Sequence, residues 1–250
     1  MRLFMVIGQS QMMLLRAIFC HPWDSVVVFY AEEKVMEQFR QKIVNCAGAL
    51  NMPIPHLEST LIPPLDQTNS IAKFARELNL DSMRNDIEVN ENDMLFYSGT
   101  VLHIRCLTTT LNFENILAYD NEKGFFTIGK LDNVFGDFEL TMGNFLDINN
   151  VKIRKGKNQQ GVDFISIGSI GGDWQTTSVH IDKIEFSNDV LNIFWKGGRQ
   201  SSSQRKKIVK DCHLLKRIFG HYTVINRNLP LEVDRLIRSG YIPILMEEEE

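Results

Sequence analysis

Two short polar segments carry the residue types suited to holding a phosphorylated ligand. Ser98-Gly99-Thr100 follows the apolar run Met94-Leu95-Phe96-Tyr97, and Gly8-Gln9-Ser10-Gln11 follows Leu3-Phe4-Met5-Val6-Ile7. Hydroxyls, side-chain amides and backbone N–H groups donate to phosphate oxygens, and Gly99 lets a ligand approach the main chain closely. His103 and Arg105 lie just beyond the second segment, within reach of a bound phosphate. Neither segment is G-x-G-x-x-G or a Walker loop, so the sequence does not support dinucleotide or triphosphate binding of those kinds.

The elements needed to position these segments are legible as patterns. Arg2 to Ile7 reads as a strand and Met12 to Phe19 as a helix, the opening of a βαβ unit. Ser25 to Tyr30 is apolar without alternation, as in a parallel strand buried on both faces. Glu32 to Leu50 spaces Val35, Met36, Phe39, Ile43, Val44 and Ala47 as a helix does, with its two leading glutamates favoured by the helix dipole. His56 to Pro64 is extended, and Asn69 to Leu78 is a helix capped by Asn69 or Ser70. Short strands at Met94–Tyr97, Ile116–Tyr119 and Gly124–Ile128 complete a doubly wound α/β domain. Its ligand crevice is expected outside the carboxyl ends of its strands.

The second part of the chain has a different rhythm. Leu140 to Leu146 is a brief helix, and Lys152 to Gly161, rich in Lys, Gly, Asn and Gln, reads as an exposed loop. Val179–Phe186 and Val190–Lys196 form a hairpin around Ser187-Asn188-Asp189. Gln204 to Gly220 is a helix, Tyr222 to Ile225 a strand, Pro230 to Ser239 a helix, and Tyr241 to Leu245 a last strand. The domain boundary falls near Leu131 to Thr141, giving domains of 1–135 and 136–250. The terminal run Glu247 to Glu250 reads as a disordered end.

Composition narrows the function classes. With 250 residues, 44% hydrophobic and 23% charged, the chain can bury a sizeable core and has the make-up of a soluble globular protein. No stretch approaches ~20 apolar residues, so no membrane span is expected, and the apolar N-terminus is broken by Gln9, Ser10 and Gln11, unlike a signal peptide. Cys20, Cys46, Cys106 and Cys212 are scattered with no C-x-x-C, which fits a reducing cytoplasm without disulfides or a zinc site. His180-Ile181-Asp182 lacks a further His or carboxylate cluster at ligand spacing, so no metal or other cofactor is expected. His21 and Trp23 flank Pro22 and are expected to pack. The net charge is −4, but Arg199, Arg205, Lys206, Lys207, Lys210 and Lys216 form a local basic stretch that suits either solvent or nucleic-acid phosphate.

The pattern of the first half resembles the CARF domain, the Rossmann-like sensor of CRISPR ancillary effectors. That family binds cyclic oligoadenylate with a polar loop after its first strand and a Thr-Gly-Gly-Thr-Lys loop after its fourth. Gly99-Thr100 match the central Gly-Thr, preceded by Tyr97-Ser98, whereas Val101 stands where the family has lysine. Gly8-Gln9-Ser10-Gln11 resembles the first loop, and Leu140 to Ile148 resembles the linker helix that follows the sensor. The second half resembles a reduced, restriction-endonuclease-like PD-(D/E)XK domain. Lys196 matches its motif lysine, Asp182 or Asp189 its first acid, and Phe194 replaces the second acid.

The resemblance implies a cyclic oligonucleotide ligand held by Gly8, Gln9, Ser10, Gln11, Ser98, Gly99, Thr100 and His103, across a homodimer whose two-fold symmetry suits a symmetric ring. It implies a nuclease centre eroded at Phe194, with Asp182 and Lys196 as relics and Glu185 as the one carboxylate able to take over. Two alternatives stay open. One is a metal-independent ring nuclease orienting a ribose 2′-hydroxyl for in-line attack with Ser10, Ser98, Thr100 and His103. The other is an active metal-dependent nuclease.

Overall fold

A computed structural model of the chain describes residues 1–7, 11–62, 87–96, 107–108, 111–120, 122–131, 133–135, 139–169, 176–219 and 224–241. The chain divides into two compact units, Met1–Glu139 and Leu140–Glu250.

The first unit is built on one six-stranded sheet. Its strands are β1 (Arg2–Val6), β2 (Ser25–Tyr30), β3 (Leu57–Leu61), β4 (Met94–Phe96), β5 (Asn115–Asp120) and β6 (Gly124–Gly129), in the order β3-β2-β1-β4-β5-β6. All neighbouring pairs are parallel except β5–β6, an antiparallel hairpin at one edge. Two helices, α1 (Gln11–Phe19) and α2 (Glu33–Leu50), follow β1 and β2 and pack on each other. This is the parallel α/β architecture expected from the sequence. All six residues of β2 are buried, as its unbroken apolar run requires of a strand covered on both faces. On one face Phe4, Val6, Val27, Phe29, Leu95, Leu107 and Leu111 form a continuous cluster. Alternation along β1 sends Leu3 and Met5, both fully buried, to the other face.

The amino ends of β1 and β4 are tied together by a buried ion pair. Asp93, 2% exposed, accepts from Arg2 Nη2 at 2.6 Å, Arg2 Nε at 3.1 Å, the Arg2 backbone N–H at 3.0 Å and the Asn90 N–H at 2.9 Å. Burial alone pushes this carboxyl upward. The hydrogen bonds from Arg2 and Asn90, with the Arg2 charge, outweigh it and hold the group below the ordinary carboxylate value. A depressed folded-state value stabilises the fold above the unfolded pKa of about 3.9, and that contribution is lost as pH falls through the folded value. Asp93→Ala is therefore expected to cost about 3 kcal/mol at pH 7, because it strands a half-buried guanidinium. Thermal melts from pH 7 down to pH 2 check this. The gap between wild type and variant should shrink only below about pH 4.

At the opposite edge, Gly129 has φ +145° and sits across from Asn115, where a Cβ would lie 2.1 Å from the Glu114 carbonyl oxygen. Only glycine fits there. Asn115 is fully buried and clamps the neighbouring turns, donating to the Glu91 carbonyl at 2.6 Å and accepting from the Leu131 N–H at 3.0 Å.

The second unit opens with α3 (Met142–Ile148), whose start is a reciprocal cap: Thr141 Oγ1 accepts from the Asn144 N–H and Asn144 Oδ1 from the Thr141 N–H, both at 3.1 Å. One sheet follows, β7 (Val151–Lys157), β8 (Asp163–Ser169) and β9 (Thr176–Ser178), antiparallel in the order β7-β8-β9. A second sheet holds β10 (Ile181–Ser187), β11 (Val190–Trp195) and β12 (Val224–Arg227), in the order β10-β11-β12. The helix α4 (Ser202–Phe219) makes the crossover between the parallel strands β11 and β12, and α5 (Leu231–Arg238) packs against it. Phe145 on α3 anchors the core, with ring centroids 4.9 Å from Phe186 and 5.5 Å from Phe219.

The segment expected as an exposed loop, Lys152 to Gly161, is instead mostly the strand β7 and its turn. Val151 is buried and Ile153 half-buried, while Lys152 and Arg154 on the opposite face are exposed. β7 is an edge strand, and lysines on an edge guard its unpaired backbone against other chains. The lysine content that suggested a loop thus belongs to a strand. The helix expected at Asn69 to Leu78 lies outside the described residues, as does all but Tyr241 of the expected last strand. No helix among the described residues is long and apolar enough to cross a membrane.

Candidate functional site

β1 lies between β2 and β4, so the chain order reverses direction across the sheet at the β1/β4 junction. The two strands are parallel, with Leu3 beside Met94 and Phe4 beside Leu95, and their carboxyl ends at Val6 and Phe96 therefore leave the sheet side by side. A crevice at such a reversal is where open α/β sheets bind ligands. The segments that continue from these two ends contain Gly8, Gln9, Ser10, Ser98, Gly99, Thr100, His103 and Arg105, all outside the described residues. Gln11 is described: it opens α1 and is half-buried.

One nearby cation has no sequence signal. Arg16 on α1 is 7% exposed, donates to the Tyr119 hydroxyl at 3.0 Å and lies 4.8 Å from that ring's centroid. It places a guanidinium between α1 and the carboxyl end of β5, bringing together residues 103 positions apart. His21 and Trp23 pack as expected. Their rings meet at 4.8 Å, His21 also meets Phe135 at 5.0 Å, and the Trp23 indole donates to the Ala17 carbonyl at 3.0 Å.

In the second unit, Asp182 and Lys196 line one concavity of about 570 Å³, together with Lys155, Lys157, Asp163 and Phe164. A β-bulge delivers Asp182 there. Ile181 pairs with Trp195 and Lys183 with Phe194, leaving Asp182 without a cross-strand partner. Bulges re-aim side chains in this way. Lys196 follows β11 directly, with its N–H held by the His180 carbonyl at 2.7 Å. The His180 imidazole is buried, which lowers its pKa, and the charges of Lys207 and Lys196 lower it further. Asp163 was not singled out by the sequence. It belongs to the other sheet, and only the packing of the two sheets brings it beside Asp182.

Two other candidate acids do not reach this concavity. Asp189 occupies the hairpin turn, where both Asn188 and Asp189 have positive φ of 52° and 58°. That turn is at the far end of the hairpin from Lys196. Glu185 stands opposite Asn192 and is paired with Lys183 at 2.7 Å, so it has not moved into the missing acid's place. Phe194 is covered by the Lys183 ammonium, 4.3 Å from its ring centroid.

A metal centre of the kind the endonuclease resemblance implies fits these residues poorly. Among the described residues no group of three His, Cys, Asp or Glu side chains is placed to hold a metal ion. The two carboxylates in the concavity face three ammonium groups, which disfavour a dication. The basic stretch maps largely to α4, which buries Ile208, Val209, Cys212, Leu215 and Phe219 and leaves Lys206, Lys207 and Lys210 exposed.

No protein-family model matches the chain, and no curated protein matches it. Among solved structures, the chain is similar to a Type III CRISPR defence DNA nuclease activated by cyclic oligoadenylate, at TM-score 0.46 and 9% identity over 95% of this chain and 38% of that one. It is also similar to Can2 from Sulfobacillus thermosulfidooxidans, solved in complex with cyclic tetra-adenylate. That match has TM-score 0.54 and 8% identity, over 95% of this chain and 91% of that chain, and it is a likeness of fold.

Proposed function

We propose that this protein is a cyclic oligoadenylate sensor of a CRISPR-type antiviral defence system, acting as a homodimer, with a nuclease-like second domain whose hydrolytic centre is eroded. The observation that carries the reading is the β1/β4 reversal, because both small polar segments singled out from the sequence continue from the two strand ends that meet there. The fold likeness to a protein solved with cyclic tetra-adenylate supports the same ligand class. In this reading Gly8 to Gln11 and Ser98 to Thr100 hold the ring, His103 reaches a phosphate, and α1 directs the positive end of its dipole toward the crevice. The erosion reading rests on Phe194 at the second acid position and on the ammonium groups around Asp163 and Asp182. Asp163 beside Asp182 is the one observation that favours the active-nuclease alternative.

The test is incubation with labelled cyclic tetra- and hexa-adenylate, scored for retention and for cleavage of the ring. Retention without cleavage is the expected result. Cleavage in the presence of EDTA would replace the sensor with a ring nuclease, and failure to retain any ring would overturn the assignment.

A further inference from the structure

The charges on α4 are arranged against the stability of the helix itself. Its sequence carries Arg205, Lys206, Lys207, Lys210, Lys216 and Arg217, and its one acid, Asp211, is buried at 5% exposure. Lys206 and Lys210 are spaced i, i+4 and Lys207 and Lys210 i, i+3, like-charge pairs that destabilise a helix. No acid occupies the first turn, and Arg205 stands there against the helix dipole. A helix face selected only for solvation interleaves the two signs. The helix α2, also 18 residues long, does so with Glu33, Lys34, Glu37 and Arg40.

These cations are also uncompensated from outside the helix. Elsewhere exposed cations have partners: Lys130 pairs with Glu114, Lys183 with Glu185 and Arg238 with Asp234. Among the described residues no ion pair involves Lys206, Lys207, Lys210 or Arg217, and all four are exposed. With about 3.6 residues per turn, Lys206, Lys210 and Arg217 fall on one ridge with Lys207 beside it. His213, on the same ridge, is committed to the Tyr241 carbonyl at 3.2 Å. From Lys206 to Arg217 the ridge covers about 16 Å at about 1.5 Å per residue. The opposite face buries Ile208, Val209, Cys212, Leu215 and Phe219, so the row of cations is held straight and rigid.

The shape and chemistry of the ridge select its occupant. A single strand is held by cations together with aromatic side chains on which its bases stack. The half-buried and exposed positions of α4 hold no Phe, Tyr or Trp, and Phe219 is in the core. What remains is contact with phosphates alone, which is strongest on a duplex, where the charge along the axis is twice as dense as on one strand.

We infer that the exposed face of α4 docks a nucleic-acid duplex along its sugar–phosphate backbone, with Lys206, Lys207, Lys210 and Arg217 as the phosphate contacts. None of the four lines the concavity of Asp182 and Lys196. The contact reads no base sequence and needs neither a metal ion nor a ligand in the crevice of the first unit.

The experiment uses the full chain in EDTA with no cyclic oligoadenylate present, so its failure is independent of the sensor reading. Fluorescein-labelled DNA and RNA duplexes of about 20 base pairs, and the corresponding single strands, are titrated by anisotropy from about 50 to 200 mM salt. Duplex should bind more tightly than single strand, and the DNA and RNA arms decide which duplex is held better. Lys206→Ala/Lys210→Ala is expected to weaken duplex binding at least about tenfold and to flatten the salt slope by about 1.8, the share of two phosphate contacts. Its melting temperature should equal or exceed that of wild type, because the change removes a like-charge pair and adds two strong helix formers. Lys207→Ala/Arg217→Ala should weaken binding in the same direction, and Lys206→Arg/Lys210→Arg should keep wild-type affinity. The inference is overturned if no duplex binds, if single strands bind more tightly than duplexes, or if binding survives both alanine pairs and is lost instead in Lys155→Ala/Lys157→Ala.

Discussion

Gly99→Trp should reduce binding of cyclic tetra-adenylate at least about a hundredfold, equivalent to about 2.7 kcal/mol, while leaving the melting temperature within a few degrees of wild type. A glycine flanked by two hydroxyls serves a ligand by leaving room for close approach to the main chain. In the proposed site an indole at that position would take the space meant for a ligand phosphate. The strand that precedes it is held independently: Met94, Leu95 and Phe96 are all buried, and β4 pairs with β1 on one side and β5 on the other. Calorimetry measures the binding, and a thermal melt reports on the fold. Undiminished binding in a folded Gly99→Trp protein would remove Ser98-Gly99-Thr100 from the site.

Cleavage of plasmid DNA or single-stranded RNA by the full chain is expected to be no faster with Mg²⁺ or Mn²⁺ than in EDTA, with or without cyclic oligoadenylate. Metal-assisted phosphodiester hydrolysis needs carboxylates that fix the ion and orient water or phosphate against it. Phe194 cannot serve, Glu185 is engaged by Lys183, and Asp189 is in the hairpin turn. Asp163 and Asp182 remain, facing Lys155, Lys157 and Lys196. An excess of ammonium groups over carboxylates raises the cost of placing a dication there. Robust metal-dependent cleavage that disappears in Lys196→Ala, Asp163→Asn and Asp182→Asn would show that the two carboxylates suffice and that the centre is intact.

The elements that were legible are those whose signal is local. The apolar run Val26 to Tyr30 reads as a doubly covered strand because each residue in it must be buried. The spacing of Ile208, Val209, Cys212 and Leu215 reads as one buried helix face. The hairpin of β10 and β11 was legible at Asn188-Asp189, residues that tolerate the left-handed backbone the turn demands. The strand β7 was missed for the converse reason. Its lysines answer to its place at a sheet edge, and an edge is a property of the assembled sheet rather than of seven residues.

The site divides along the same line. The amino-acid sequence alone determined which strand ends lead into small hydroxyl- and glycine-bearing segments, and that Lys196 follows a strand whose preceding alternate position is an apolar Phe194. Those are statements about near neighbours, where side-chain type and backbone preference act over a few residues. Only the tertiary structure decided that β4 pairs with β1, 91 residues away at the Arg2–Asp93 clamp. Only it placed Arg16 against Tyr119, and Asp163 with Lys155 and Lys157 in the concavity of Asp182 and Lys196. Contacts of that span are selected by the packing of whole sheets and by buried polar groups that must find partners, and no local pattern encodes which distant residue supplies them.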